Sequence, residues 1–421
     1  MSISRRYFLK NTGLSLFGAA VVPSFLRRAA YAMEQPGRKK ILVAIFQRGA
    51  ADGLNIVVPF GEKNYYAMRP SIAIPQPSQR SESGPSAIDL DGFFGLHPSL
   101  SSLKPLFDAR HLAIIHAAGS PDSTRSHFDA QDYMESATPG VKATPDGWLN
   151  RFLQSAPHTD ATPFRAVAFS ASTPRTMMGA APCLCTQDLQ GFHLAGKANR
   201  GAQLLASAYE KMYASASDRL LSSTARETFE AISTLQRIQI GEYQPENGAQ
   251  YPRGPLGKSL QQIAQLIKSD AGLEVAFAEA GGWDHHVNEG GVNGQLATRL
   301  KDFGDSLAAF YNDMGDRMAD ITVLTMSEFG RTAHENGNRG TDHGHAHAMF
   351  VLGGPVKGGK VYGDWPGLKD HQLHEGRDLE LTTDFRDVFA EVATQHLGVK
   401  DSRGIFPGYA VSPRRFRGFL G

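Results

Sequence analysis

Residues 321–363 contain the densest group of side chains in the chain that could perform chemistry. An apolar, β-branched run at 321–326 ends in the polar stretch SEFGR (327–331), and a loop rich in glycine and asparagine then leads to TDHGHAH (341–347). Carboxylates and imidazole nitrogens are the ligands that zinc and related cations use in proteins, and Asp342, His343 and His345 supply both kinds. The pattern predicts a strand, a metal-binding loop and a second strand at 348–352. The alternative is that these histidines only cap strands or bond to the backbone of a glycine-rich turn.

A second polar cluster follows another apolar run. Residues 273–278 (LEVAFA) precede the stretch GGWDHH at 281–286. Glycines just beyond a strand permit sharp backbone turns, so Asp284 and His286 can face the same point. Two such clusters in one chain strengthen the prediction of a metal site.

A buried strand is predicted near the start of the chain, because residues 41–46 (ILVAIF) form an unbroken apolar and β-branched run. The strand leads into QRGAADGLN (47–55). Ligands of open α/β sheets lie beyond the carboxyl ends of the strands, which makes Asp52 a candidate metal ligand. The alternative is that Asp52 and Gly53 only form a turn.

Ser126 has two interpretations. It follows a predicted strand at 111–117 and begins the stretch SHFDAQDYME (126–135). With Asp129 three residues later, its hydroxyl could cap a helix by accepting an orphan backbone N–H. A hydroxyl at a helix N-terminus could equally serve as a nucleophile, because the backbone dipoles there favour an anionic substrate.

The N-terminus and the composition limit the classes of function. Residues 4–10 (SRRYFLK), an apolar stretch at 14–26 and a small-x-small site at 30–32 have the form of a twin-arginine signal peptide covering residues 1–32. The apolar stretch is too short and too interrupted to span a bilayer permanently, so we expect a periplasmic or extracellular protein without a stable membrane span. The formal net charge of +1 gives no indication of a nucleic-acid partner. The two cysteines, Cys183 and Cys185, are too close for an ordinary structural disulfide.

Apolar runs typical of strands alternate with helical patterns along the chain, which predicts an α/β fold with parallel pairing. Helices are expected at 98–107, 201–240, 256–269, 295–318 and 382–397. We expect one domain at 38–413, whose mainly helical segment at about 201–270 forms an insertion packed on the sheet. Asp384, at the start of the last helix, is interpreted as a cap.

The order of these motifs resembles that of a widespread bacterial exported family of unknown function within the alkaline phosphatase/sulfatase superfamily. The resemblance covers nearly the whole chain after the signal segment and is carried by the motifs SHFDA (126–130), GWDHH (282–286), SEFGRT (327–332), Asp342-His343 and GGPVKGG (353–359). It implies an alkaline-phosphatase-like fold, in which a mostly parallel sheet flanked by helices holds one or two divalent metals beyond the strand ends.

The resemblance also implies roles for individual residues. Ser126 would be the nucleophile, and Arg331 would neutralise charge on the transferring group. The metal ligands would be Asp52, Asp284, His286, Glu328, Asp342 and His343. Phe329 departs from the pattern, because it stands where phosphatases carry a ligating histidine.

These features together predict an exported, metal-dependent hydrolase of phosphate or sulfate esters, acting on a small-molecule or polymer substrate. Zinc is the expected metal, with manganese or calcium as alternatives. The alternative is a non-catalytic periplasmic binding or structural protein that keeps the superfamily fold. Asp284, His286 and His343 are expected to converge on one point, since adjacent strands deliver their loops to a shared crevice.

Overall fold

The computed structural model describes residues 39–77, 84–156, 162–189 and 243–421. The predicted signal peptide at 1–32 and the predicted helical tract at 201–240 lie outside the described residues. The helix predicted at 256–269 is present as Pro255–Lys268.

The main sheet has nine strands, in the order β11-β5-β10-β9-β1-β8-β6-β7, with β12 also paired to β5. Its strands are β1 (Ile41–Arg48), β5 (Leu112–Gly119), β6 (Ala166–Phe169), β7 (Leu184–Thr186), β8 (Val275–Gly281), β9 (Ile321–Met326), β10 (His347–Gly353), β11 (Lys360–Tyr362) and β12 (Thr383–Asp384). Three further strands, β2 (Val57–Val58), β3 (Ile88–Asp89) and β4 (Gly95–Leu96), form a small antiparallel sheet.

The fold is α/β with a mostly parallel sheet, as predicted. Strand β1 pairs in parallel with both β8 and β9, so that residues 41–46 and 321–326 lie side by side in one sheet. Strand β10 is the exception, because it runs antiparallel to β5 and β9. The start of β10 therefore meets the carboxyl ends of its neighbours, which brings the histidine-rich loop before β10 to the same edge as the loops after β1, β8 and β9.

Helices cover both faces of this sheet. The α-helices are α1 (Gly53–Ile56), α2 (Lys63–Met68), α3 (Lys104–Asp108), α4 (His127–Ser136), α5 (Trp148–Ser155), α6 (Pro255–Lys268), α7 (Gln295–Met314) and α8 (Phe385–Glu391). Short 3-10 helices span Pro98–Leu103, Arg175–Met177, Gly315–Asp320, Asp370–Gln372 and Pro413–Arg415, and a π-helical turn spans Val392–His396.

The core lies on both sides of the sheet, because successive side chains of a strand point to opposite faces. On β1, Val43 and Ile45 pack into a cluster with α6 and α7, whereas Leu42, Ala44 and Phe46 pack into a second cluster with α5 and α8. An unbroken apolar strand is therefore what a centre position in this sheet requires.

Two local predictions, for Asp384 and for the cysteines, are confirmed. The Asp384 side chain caps α8 by accepting the Arg386 N–H at 2.9 Å. Cys183 and Cys185 are both free thiols. Within the described ranges, none of the helices combines the length and the apolar content needed to cross a bilayer.

Candidate metal centre

The carboxyl edge of the sheet gathers polar side chains from four segments. Asp284 and His286 follow β8, and Glu328 follows β9. His127 begins α4, which follows β5, and His343 lies in the loop that enters β10. Strand pairing alone therefore brings these residues from distant parts of the sequence to one place.

Three histidines and one carboxylate converge on one point at this edge. His286 Nε2 lies 3.0 Å from His343 Nε2 and 2.9 Å from Asp284 Oδ1. His343 Nε2 is 3.2 Å from Asp284 Oδ1, and His127 Nε2 is 3.7 Å from Asp284 Oδ2. The predicted convergence of Asp284, His286 and His343 is thus observed, and His127 joins them.

Each of the three imidazole rings is fixed through its other nitrogen, Nδ1. The acceptors are the carbonyl oxygen of Arg125 for His343 (2.9 Å), Asp342 Oδ1 for His286 (3.0 Å) and Glu328 Oε1 for His127 (2.8 Å). Carbonyl and carboxylate oxygens carry no hydrogen, so each Nδ1 must be the donor. In the neutral ring, Nε2 then has a bare lone pair, and all three lone pairs are turned toward Asp284.

This arrangement fits a divalent cation. Bare nitrogens and a carboxylate oxygen about 3 Å apart repel one another unless a positive charge lies between them. Two nitrogens bound tetrahedrally to zinc at about 2.0–2.1 Å would themselves lie about 3.3 Å apart, close to the His286–His343 spacing. Among the described residues, no group forms a hydrogen bond with the buried His127 Nε2, so this nitrogen is free to bind a metal. His127, Asp284 and His343 offer ligand atoms that all lie within 4.8 Å of one another.

The pKa values of the cluster follow from the same contacts. The hydrogen bond to Glu328 raises the pKa of His127, whereas burial lowers the pKa of His343. Burial disfavours ionised Asp284, but the hydrogen bond and charge of Arg331 outweigh it, so its pKa is lowered. The hydrogen bond from His286 lowers the pKa of Asp342. The lowered pKa values keep Asp284 in the cluster, and Asp342 behind the His286 ring, in the anionic form.

Glu328 does not occupy a ligand position, contrary to the prediction. Its Oε1 accepts bonds from the Gly49 N–H (2.9 Å), His127 and Gln131 (2.9 Å), and its Oε2 accepts the Ser327 hydroxyl at 3.1 Å. The side chain is fully buried, and its Oε1 is occupied by three hydrogen bonds, whereas its Oε2 accepts at most one. Glu328 instead orients the His127 ring, as an outer-shell carboxylate does beside a metal-binding histidine.

Asp52 also lies away from the converging histidines. Both of its oxygens bond to the buried Arg69, whose guanidinium also donates to the carbonyls of Thr332 and Ala333. Burial opposes ionisation of Asp52, but Arg69 lowers its pKa, while burial and the charge of Asp52 raise the pKa of the adjacent Glu289. The predicted role of Asp52 as a ligand does not fit a carboxylate saturated by an arginine.

Arg331 is a buried structural clamp, and its contact with a transferring group stays a prediction. It is 1% exposed. Its N–H groups donate to Asp284 Oδ1 (2.5 Å) and to four backbone carbonyls, those of Gly49, Ala50, Trp283 and Thr341. These bonds use the Nε–H, one Nη1–H and both Nη2–H groups, so one of the five N–H donors of the guanidinium is not used by them. Arg331 therefore ties the loops after β1 and β8 to the histidine-rich loop.

Ser126 lies at the N-terminus of α4, directly before His127. It is exposed, and its side chain makes no capping hydrogen bond, so the capping interpretation is wrong. The hydroxyl is therefore available at a helix N-terminus beside the metal cluster.

The remaining histidines of the loop point elsewhere. His345 is buried and stacks on His374, with ring centroids 4.1 Å apart and planes inclined by 13°. With Glu380 they form a second group of possible metal ligands. The lone pairs of two stacked, nearly parallel rings do not meet at one point, so this group suits a cation less well than the first. His347 is buried at the start of β10.

Sequence reasoning missed His127, although it follows Ser126 directly. The available signal was its position at a helix start beyond a strand, which is the position that singled out Ser126. Phe329 fills the place of a ligand and packs against His127 and His343, with ring centroids 5.1 and 5.0 Å away. Phe329 therefore gives the cluster an apolar side.

The model of a family described as a protein of unknown function (DUF1501) matches residues 39–405. No curated protein matches the chain.

Among solved structures, the chain is similar to a sulfatase from Pseudoalteromonas sp., with 10% identity over 90% of this chain and 71% of that chain and a TM-score of 0.38. It is similar to a protein in the alkaline phosphatase superfamily from Vibrio parahaemolyticus, with 10% identity over 91% and 72% and a TM-score of 0.38. An alkaline phosphatase from the Antarctic bacterium TAB5 has 11% identity over 76% and 93% and a TM-score of 0.31.

Proposed function

The chain belongs to the DUF1501 family, and we propose that it is a metal-dependent hydrolase of phosphate or sulfate esters that acts outside the cytoplasm. The observation that carries this proposal is the convergence of three imidazole Nε2 atoms on the Asp284 carboxylate, with every Nδ1 fixed by an oxygen acceptor. Three imidazole nitrogens and one carboxylate arranged in this way suit the binding of a cation.

His127, Asp284, His286 and His343 would hold the metal. Nitrogen donors in the majority favour zinc over calcium, with manganese as the alternative. When bound, a divalent cation supplies positive charge for the oxygens of a transferring phosphate or sulfate group.

Ser126 would provide the nucleophile. Its Oγ forms a bond to phosphorus or sulfur while the bond to the leaving alcohol breaks, and water later cleaves the seryl ester. The orphan N–H groups of the first turn of α4 favour an anionic group at this position. Arg331 is buried and bonded to Asp284, so its role here is to hold the Asp284 carboxylate in place.

Hydrolysis of p-nitrophenyl phosphate and p-nitrophenyl sulfate, with and without added Zn²⁺ or Mn²⁺, tests this function. Ser126→Ala is expected to lower kcat at least about 1000-fold, since removing a nucleophile leaves only binding and electrostatic effects. Its metal content should stay that of the wild type. Ser123→Ala is the matched control, because Ser123 is an exposed serine in the same loop.

A non-catalytic binding protein is the second candidate. The burial of Arg331 and the presence of Phe329 favour it, because a buried guanidinium is shielded from a substrate and a phenyl ring cannot bind a metal. A protein that binds the metal stoichiometrically but hydrolyses neither ester, with or without Ser126, would establish this candidate and exclude the first.

Export by the twin-arginine route is the other part of the proposal. Arg5 and Arg6 precede the apolar stretch, which is the position at which the export machinery recognises a twin-arginine pair. Replacing both with lysine should therefore leave the precursor in the cytoplasm. The chain offers a matched control in Arg27 and Arg28, a second arginine pair that lies behind the apolar stretch. Equal periplasmic yield of the two double variants would contradict export by this route.

A further inference from the structure

A large cleft lies at the edge of the sheet opposite the metal centre. Its volume is about 1000 Å³, and its lining includes Lys40, Arg110, His111, Lys357, Lys360 and Tyr362. Lys40 precedes β1, His111 precedes β5, and Lys360 starts β11, so the cleft lies at the amino ends of the parallel strands. Strand β1 has eight residues, which separates the two edges by about 23 Å at 3.3 Å per residue.

Four of the lining side chains carry positive charge, those of Lys40, Arg110, Lys357 and Lys360, and no lining side chain is a carboxylate; Gly421 also lines the cleft, next to Lys357. Lys40 pairs with the buried Asp320 at 2.8 Å. Arg110, Lys357 and Lys360 have no carboxylate within salt-bridge distance among the residues that the structure describes. Lys360 lies over the ring of Tyr362, with its Nζ 4.9 Å from the centroid. Three uncompensated cations on a concave surface concentrate positive potential and attract anions.

The backbone fixes these side chains in place. Arg110 has a left-handed conformation, with φ of 59°, and its carbonyl accepts the Gly358 N–H at 3.2 Å. A Cβ added at Gly358 would lie 2.4 Å from the Leu112 carbonyl oxygen, so only glycine lets the loop that carries Lys357 and Lys360 pack against β5. The amides of Lys357, Gly358 and Gly359 all donate to backbone carbonyls. Any anion in the cleft must therefore be bound by the basic side chains and not by the glycine-rich loop.

We propose that this cleft binds an anion that carries several phosphate or sulfate groups. A single group would engage only one or two of the cations, whereas their spread along the cleft suits several charges on one molecule. The cleft is too far from the metal centre to hold the group that would react there. It is therefore a separate binding site, and it does not depend on the proposed hydrolase activity.

Two probes distinguish the sources of such groups. Binding of tripolyphosphate tests for a small free anion, and binding of a short dextran sulfate tests for an anionic polymer, with neutral dextran as the blank. Titrations of the metal-loaded protein at several salt concentrations should show that affinity falls as salt rises. The triple variant Arg110→Gln, Lys357→Gln and Lys360→Gln should bind about tenfold more weakly, since each exposed contact contributes modestly.

A triple variant with the same charge change provides the control. Arg253, Lys258 and Lys400 are exposed and lie outside this cleft, so replacing all three with glutamine should leave the affinity for either probe unchanged. Tripolyphosphate binding alone would assign a small multivalent anion, and dextran sulfate binding alone would assign a polymer. The proposal is wrong if neither probe binds, or if the two triple variants weaken binding equally.

Discussion

Replacing His343 with alanine is expected to lower the affinity for zinc more than about 100-fold. Replacing a residue that only orients a metal ligand typically lowers the affinity about 10- to 100-fold. His343 Nε2 lies 3.0 Å from His286 Nε2 and 3.2 Å from Asp284 Oδ1, so it is in contact with two of the other donors. Its loss removes a nitrogen donor and also the Nδ1 bond that attaches the loop to the Arg125 carbonyl. Metal content after dialysis against a graded chelator measures the effect.

His334→Ala is the matched control for this change. His334 is an exposed histidine of the same loop and belongs to neither group of converging ligands. Glu328→Gln should give an intermediate loss, about 10- to 100-fold, because it changes only the group that orients His127. If His343→Ala and His334→Ala retain equal metal, the cluster is held together by hydrogen bonds alone and is not a metal site.

The sheet could be predicted from the sequence because its strands are long apolar runs with clear ends. Residues 321–326 form β9 as expected, and the run at 41–46 lies within β1. Strand β10 shows the limit of this reasoning: its apolar pattern predicts a strand but carries no information about direction, and it runs antiparallel to both neighbours. The predicted convergence still held, because an antiparallel β10 brings its leading loop to the same edge.

The metal cluster was only partly predictable for a related reason. Residue type and position beyond a strand selected Asp284, His286 and His343, since strand ends determine which loops meet. Whether a polar side chain is free depends on partners far away in the sequence. Asp52 is neutralised by Arg69, and Oε1 of Glu328 is occupied by Gly49, His127 and Gln131. No local pattern reports such saturation, so a buried hydrogen-bond hub and a metal ligand are indistinguishable in the sequence.

Arg331 is expected to dominate the stability of this edge of the sheet. Its guanidinium is buried and donates to the carbonyls of Ala50 (2.8 Å) and Trp283 (3.0 Å), among others. Replacing it with methionine, an apolar side chain of similar length, removes the arginine donor from the carbonyls of Gly49, Ala50 and Thr341. The Trp283 carbonyl keeps the His285 N–H as a donor. Each unsatisfied buried group costs about 1–3 kcal/mol, and breaking a buried charged network costs about 3–5 kcal/mol. Arg331→Met should therefore lower the free energy of unfolding by about 3–5 kcal/mol.

Urea denaturation of the metal-free protein measures this loss. Without the metal, the change in the free energy of unfolding contains no contribution from altered ion binding. Arg339→Met is the matched control: Arg339 is exposed in the same loop, so its replacement should change the free energy of unfolding by no more than about 0.5 kcal/mol. A charged substrate contact behaves differently from a clamp, because an arginine held ready for a substrate would lose turnover without losing stability. If Arg331→Met keeps the wild-type free energy of unfolding but has reduced turnover, Arg331 contacts the reacting group, and its interpretation as a structural clamp is wrong.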